Sequence, residues 1–146
     1  RRCPLVETDH VICCNGDEIR SGLDIADVLR FYATAPTPNV LLGVHKTQLY
    51  RYRRLYPDQE GMLLRTELKN QIYRDRPEEQ GIVNAGMLFF QKRFIHLVEE
   101  THGDGWEGVI SPLCRERLLS VYVAPEAQYF NVGTPDELQE ACEQPR

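Results

Sequence analysis

The first apolar run, Val11, Ile12, Cys13 and Cys14, stops abruptly at Asn15-Gly16-Asp17-Glu18. A short continuous apolar run bounded by turn residues predicts a strand buried on both faces, here with carboxylates at its tip. Ser21-Gly22-Leu23 then predicts a turn, and Asp24 an N-cap for a helix whose apolar positions Ile25, Val28, Leu29 and Tyr32 recur at helical spacing. Pro36 and Pro38 stop that helix. Val40 to Val44 is a second strand of the doubly buried kind, so strand, helix and strand suggest a parallel unit.

The pattern breaks between Tyr50 and Gly61, where three arginines and three tyrosines surround a Pro-Asp turn. Such a mixture could stack on a base or grip phosphate, but it fits a solvated helix or loop face better, and no role is assigned to it. Two short strands are expected next, Met62 to Thr66 and Gln71 to Arg74, with Lys69-Asn70 as their hairpin turn and Asp75-Arg76-Pro77 closing the pair. Val83 to Phe90 predicts another buried strand, and its internal Gly86 marks a close approach by backbone or ligand. Phe94, Leu97 and Val98 fit one face of a short helix ended by Gly103 and Gly105. Leu118 to Val123 and Gln128 to Val132 predict two more strands. Thr134 and Glu137 have capping-box spacing around Pro135 for a last helix.

A chain of 146 residues supports one domain with a real core, so residues 1–146 are read as a single unit. Its net charge of -5 and lack of a basic block argue against partners such as nucleic acid or an anionic membrane. No apolar run is long enough to span a bilayer. The cysteines Cys3, Cys13, Cys14, Cys114 and Cys142 are odd in number and lack zinc-site spacing, which suits reduced thiols in a cytoplasmic protein. His10, His45, His96 and His102 show no metal-ligand spacing either.

Ligands of open α/β sheets bind beyond the carboxyl ends of strands. Asp17 stands at such an end, and Asn131 follows another strand late in the chain. Magnesium often takes one or two protein oxygens and completes its shell with water and phosphate, so these two side chains are a candidate pair. A plain Asn-Gly-Asp turn explains the same residues equally well.

The order of Asn15-Gly16-Asp17, Val40 to Val44, Asp75-Arg76-Pro77, Val83 to Phe90 and Tyr129-Phe130-Asn131-Val132-Gly133-Thr134-Pro135 resembles the sugar nucleotidyltransferases, from about Val11 to Ala141. These enzymes join a sugar 1-phosphate to a nucleoside triphosphate and release pyrophosphate. The resemblance implies a Rossmann-like nucleotidyltransferase fold with a mixed, mostly parallel sheet, Mg2+ as cofactor, and catalytic roles for Asp17 and Arg76. It implies metal ligation by Asp17 and Asn131, the latter standing where the family usually has an aspartate. Asp75 and Arg76 fall where the family's acid holds the sugar and its lysine steadies phosphate. Asn84 would read a sugar hydroxyl, and Gly86 would let the ring approach.

The family's glycine-rich triphosphate loop has no counterpart here, since Arg1 to His10 contains no glycine. The resemblance therefore implies a partial domain, incomplete at its N-terminal side, that is nearly inactive alone and is sticky or homo-oligomeric through an open sheet edge. Two alternatives remain: a degenerate, non-catalytic member that binds sugar phosphate or a full-length partner, and a metal-dependent glycosyltransferase of related fold.

Overall fold

The computed structural model describes residues 8–76, 78–98, 105–125 and 128–143. Cys3, Pro77, His102 and Gly103, each given a part in the sequence reading, lie outside the described residues.

The sheet is organised by its longest strand, β6 (Gly81–Gln91). One edge of β6 pairs antiparallel with β3 (Asn39–Lys46), from Phe89 opposite Val40 to Gly81 opposite Lys46. The other edge is divided. Met87 to Gln91 pairs with β1 (His10–Cys14), and Ile82 and Val83 pair with β4 (Arg54–Pro57). β5 (Leu63–Glu67) continues the sheet beyond β4, and β7 (Leu119–Ala124) lies parallel to β3 on the far side. The sheet is therefore mixed, but the expected parallel majority is absent among the described residues: β3 with β7 is the parallel pair, and every ladder to β6 is antiparallel. β1 and β3 do run in the same direction, with β6 between them.

Alternation along β3 and β6 feeds two cores. Val40, Leu42, Val44, Met87 and Phe89 face one side, joined by Val28 of α1 (Ile25–Thr34). Leu41, Leu88 and Phe90 face the other, against Ile110 and Leu113 of α2 (Glu107–Arg115). A helix on each face gives the layered α/β arrangement that strands buried on both sides require. Asp24 caps α1 as expected, its Oδ1 accepting from the Ala26 N–H at 2.8 Å.

β1 differs from expectation. Ile12 is 53 % exposed, and Cys13 and Cys14 are exposed as well, because β1 has a strand neighbour on one edge only among the described residues. On α1, Ile25 and Leu29 share that fate, while Val28 is buried. A second correction concerns residues 62–76. The hairpin is β4 with β5, and Gln71–Asp75 forms a 3-10 turn instead of a strand, since Asn70 caps it through the Ile72 N–H and Tyr73 is drawn inward. Lys92–Leu97 is likewise a 3-10 turn, and α2 was not expected from the pattern. A separate ribbon of β2 (Glu18–Ser21) and β8 (Gln128–Asn131) precedes α3 (Pro135–Glu143), with Thr134 Oγ1 accepting from the Glu137 N–H.

Candidate functional site

The divided edge of β6 leaves Asn84, Ala85 and Gly86 between the end of β1 and the start of β4. Backbone groups at such a gap need other partners. The Asn15 N–H donates to the Gly86 carbonyl at 2.9 Å, and the Asn84 N–H to the Arg53 carbonyl at 2.9 Å. Arg20 reaches in from β2, donating through Nε to the Ala85 carbonyl at 2.7 Å and through a guanidinium nitrogen to the Gly86 carbonyl at 2.9 Å. Asn84 Oδ1 accepts from the Gly86 N–H at 2.9 Å and supports a backbone with φ of +60° at Gly86.

The approach that Gly86 permits is made by Glu18. A Cβ at residue 86 would collide with Glu18 Oε2, so the position of this chain's own carboxylate, together with the positive φ, calls for glycine. The Glu18 side chain is 4 % exposed and is paired with Arg20. It also accepts from Asn15 Nδ2 at 2.8 Å and from the Tyr129 hydroxyl at 2.6 Å. Burial, reinforced by the bond to this carboxylate, pushes the Tyr129 phenol far above its ordinary range, so it stays a donor. Trp106 Nε1 donates to Asn15 Oδ1 at 2.7 Å, which fixes both ends of that amide.

Above this buried cluster lies a half-open cavity of about 170 Å³. Asp17, Asn84 and Asn131 all line it. The β2–β8 ribbon brings the first and last together: Glu18 and Asn131 are register partners, and the Val132 N–H donates to the Asp17 carbonyl at 2.9 Å. Asp75 and Arg76 do not line the cavity. Both are exposed, and Arg76 pairs with Glu79 at 3.6 Å, because the 3-10 turn that buries Tyr73 carries them outward. Three cations do line it: Arg51, paired with Glu137 and Glu140, Arg53, paired with Glu107, and Lys69.

Lys69 lies on the bend after β5, where the residue two before it is tightly bonded. Glu67 accepts from the Tyr56 hydroxyl at 2.7 Å, the Tyr73 hydroxyl at 2.8 Å and Asn70 Nδ2 at 3.1 Å, and these bonds hold its carboxyl down at about 2. The bend after β5 is thereby pinned. Among the described residues, neither the Asp17 carboxylate nor the Lys69 ammonium makes a hydrogen bond or ion pair, whereas Glu18, Arg20 and Asn15 are all engaged inside the protein. Asp17 and Lys69 thus put one anion and one cation without a partner among the described residues into the same cavity.

One carboxylate and one amide oxygen, from Asp17 and Asn131, do not make a closed cage, and no group of three His, Cys, Asp or Glu suited to a metal occurs among the described residues. The donor set is of the kind a hard divalent cation shares with water and phosphate oxygens. Glu18, Arg20, Lys69, Trp106 and Tyr129 were not singled out as site residues in the sequence. The legible signal was Glu18 and Arg20 at i and i+2, which share one face of a strand.

Superposition on the crystal structure of HddC from Yersinia pseudotuberculosis gives a TM-score of 0.69 over 97% of this chain, at 20% identity. The chain has the fold of HddC. It spans 57% of the length of that protein. HddC complexed with GMP-PN superposes with a TM-score of 0.64, again at 20% identity over 97% of this chain. No protein-family model matches the sequence, and no curated protein matches it. No helix among the described residues is long and apolar enough to cross a membrane.

Proposed function

We propose that this chain forms the sugar and metal half of a sugar-1-phosphate nucleotidyltransferase. The observation that carries the reading is the cavity at the carboxyl end of β1, where the open Asp17 carboxylate and the open Lys69 ammonium lie beside Asn84. The shared fold supports it, since HddC was solved with GMP-PN, a nucleotide. The role that the family resemblance gave to Arg76 passes to Lys69, since the other lining cations, Arg51 and Arg53, are paired with Glu137, Glu140 and Glu107.

In the reaction proposed, an oxygen of the sugar 1-phosphate attacks the α-phosphorus of a nucleoside triphosphate. The bond from that phosphorus to the bridging oxygen breaks, and pyrophosphate leaves with the electron pair. The attacking phosphate is already anionic, so no general base is needed, and positioning with charge neutralisation carries the catalysis. Asp17 and Asn131 would hold Mg2+, which when bound offsets phosphate charge. Lys69 donates to phosphate oxygens, and Asn84 directs its amide N–H groups toward a sugar hydroxyl, its Oδ1 being committed to Gly86.

The neutral ligand Asn131 favours a second reading, in which the chain binds sugar phosphate without turnover. Isothermal titration with α-D-glucose 1-phosphate and α-D-mannose 1-phosphate, with and without Mg2+, tests the binding that both readings share, and pyrophosphate release with added nucleoside triphosphate separates them. Asp17→Ala should abolish the magnesium dependence, and Lys69→Ala should weaken binding about tenfold, the loss of one charge-assisted hydrogen bond. Magnesium-dependent binding that survives Asp17→Ala unchanged sinks the proposal.

A further inference from the structure

Resting on that reading, we infer that Glu18 is the carboxylate that selects the sugar in this chain, in the role the resemblance gave to Asp75. Asp75 is exposed and outside the cavity, so it is not placed to do so. Glu18 lines the cavity although its side chain is nearly buried. A carboxylate has about four acceptor positions. Asn15 and Tyr129 fill both positions of Oε1 and Arg20 one of Oε2, which leaves one position on Oε2, the oxygen beside Gly86, for a further donor.

Its neighbour complements it. Asn84 has spent its carbonyl oxygen on the Gly86 N–H and has two amide N–H donors left. An acceptor beside a donor suits neighbouring hydroxyls of a sugar ring, each of which both donates and accepts. The rings of Tyr52 and Trp106 line the same space and offer apolar surface to the C–H face of a sugar. Arg20 and Tyr129 act through Glu18, fixing its rotamer, and are positioning residues.

The test is isothermal titration of the full chain in Mg2+ with α-D-glucose 1-phosphate, α-D-mannose 1-phosphate, their deoxy analogues and inorganic pyrophosphate. Glu18→Gln should weaken sugar 1-phosphate binding about tenfold or more while leaving pyrophosphate within about twofold, as expected when one bond to a charged acceptor is lost. At least one deoxy analogue should bind the unaltered protein as weakly as the variant binds the parent sugar, and the variant should no longer distinguish the two. Equal losses for sugar phosphate and pyrophosphate would mean a structural role and overturn the inference alone. Absence of any sugar 1-phosphate binding by the unaltered protein overturns the nucleotidyltransferase reading and this inference with it. Should circular dichroism show that Glu18→Gln does not fold, Tyr129→Phe keeps the carboxylate and its Arg20 pair but removes one donor. It should change sugar affinity at least about threefold with pyrophosphate unaffected, and an unchanged sugar affinity overturns the inference.

Discussion

Gly86 and Glu18 share one volume, and the conflict between a side chain at 86 and the carboxylate at 18 makes the tightest residue-level prediction. Gly86→Ala combines a positive φ with a Cβ placed on Oε2, and should lower stability by about 2–4 kcal/mol in urea unfolding. A change under about 0.5 kcal/mol would mean that Glu18 does not occupy the space. Glu67 gives the pH prediction. Its carboxyl, ordinarily near 4.5, is held at about 2 in the folded chain by Tyr56, Asn70 and Tyr73. A depressed carboxylate stabilises the fold fully above its unfolded value, so this contribution is lost as pH falls from about 4.5 toward 2. Tyr73→Phe should raise the Glu67 value, read by carboxyl-carbon NMR titration, and should shift the acid limb of unfolding upward. An unmoved titration would refute the assignment of Tyr73 as a donor.

At the scale of elements, α3 stands out because none of its described residues is buried. What ties it down is Arg51, which donates to Glu137 and to Glu140, each at 3.1 Å, together with the Thr134 cap. Partly exposed ion pairs are worth little singly and are screened by salt. Arg51→Met should therefore raise amide exchange across residues 135–143 several-fold, with 0.5 M salt as a milder version of the same change, both on the order expected for losing about 1 kcal/mol. Exchange that does not respond would show that the helix is held by something other than these pairs. Helix α1 was legible because Asp24 and the spacing of Val28 and Tyr32 are local signals. The 3-10 turn after Asn70 was not legible, because it depends on Tyr73 reaching Glu67 and on Asn70 capping locally where a hairpin turn fits the same letters.

For the whole molecule, β1 is an exposed margin of the sheet. Ile12 is exposed on this strand, and Ile25 and Leu29 are exposed on α1. Open strand edges with exposed apolar side chains promote association. Sedimentation velocity of the chain alone should show concentration-dependent association that Ile12→Lys reduces. A clean monomer with a cooperative, high-temperature melt would count against this.

The sequence by itself determined where apolar runs fall, and hence β1, β3, β6, β7, β8, α1 and α3, because period and capping are properties of neighbouring residues. It also named Asp17, Asn84 and Asn131 as candidates, and the fold brings them to one cavity. What it did not determine were the direction of the ladders to β6, the exposure of β1 and the placing of Lys69 at the cavity with Arg76 outside it. Those depend on how β6 divides its second edge between β1 and β4, which no local pattern encodes. Glu18 is the clearest case: four residues after the apolar run it reads as one more carboxylate at a turn. Only the fold encloses it between Arg20, Tyr129 and a glycine 68 positions further along the chain.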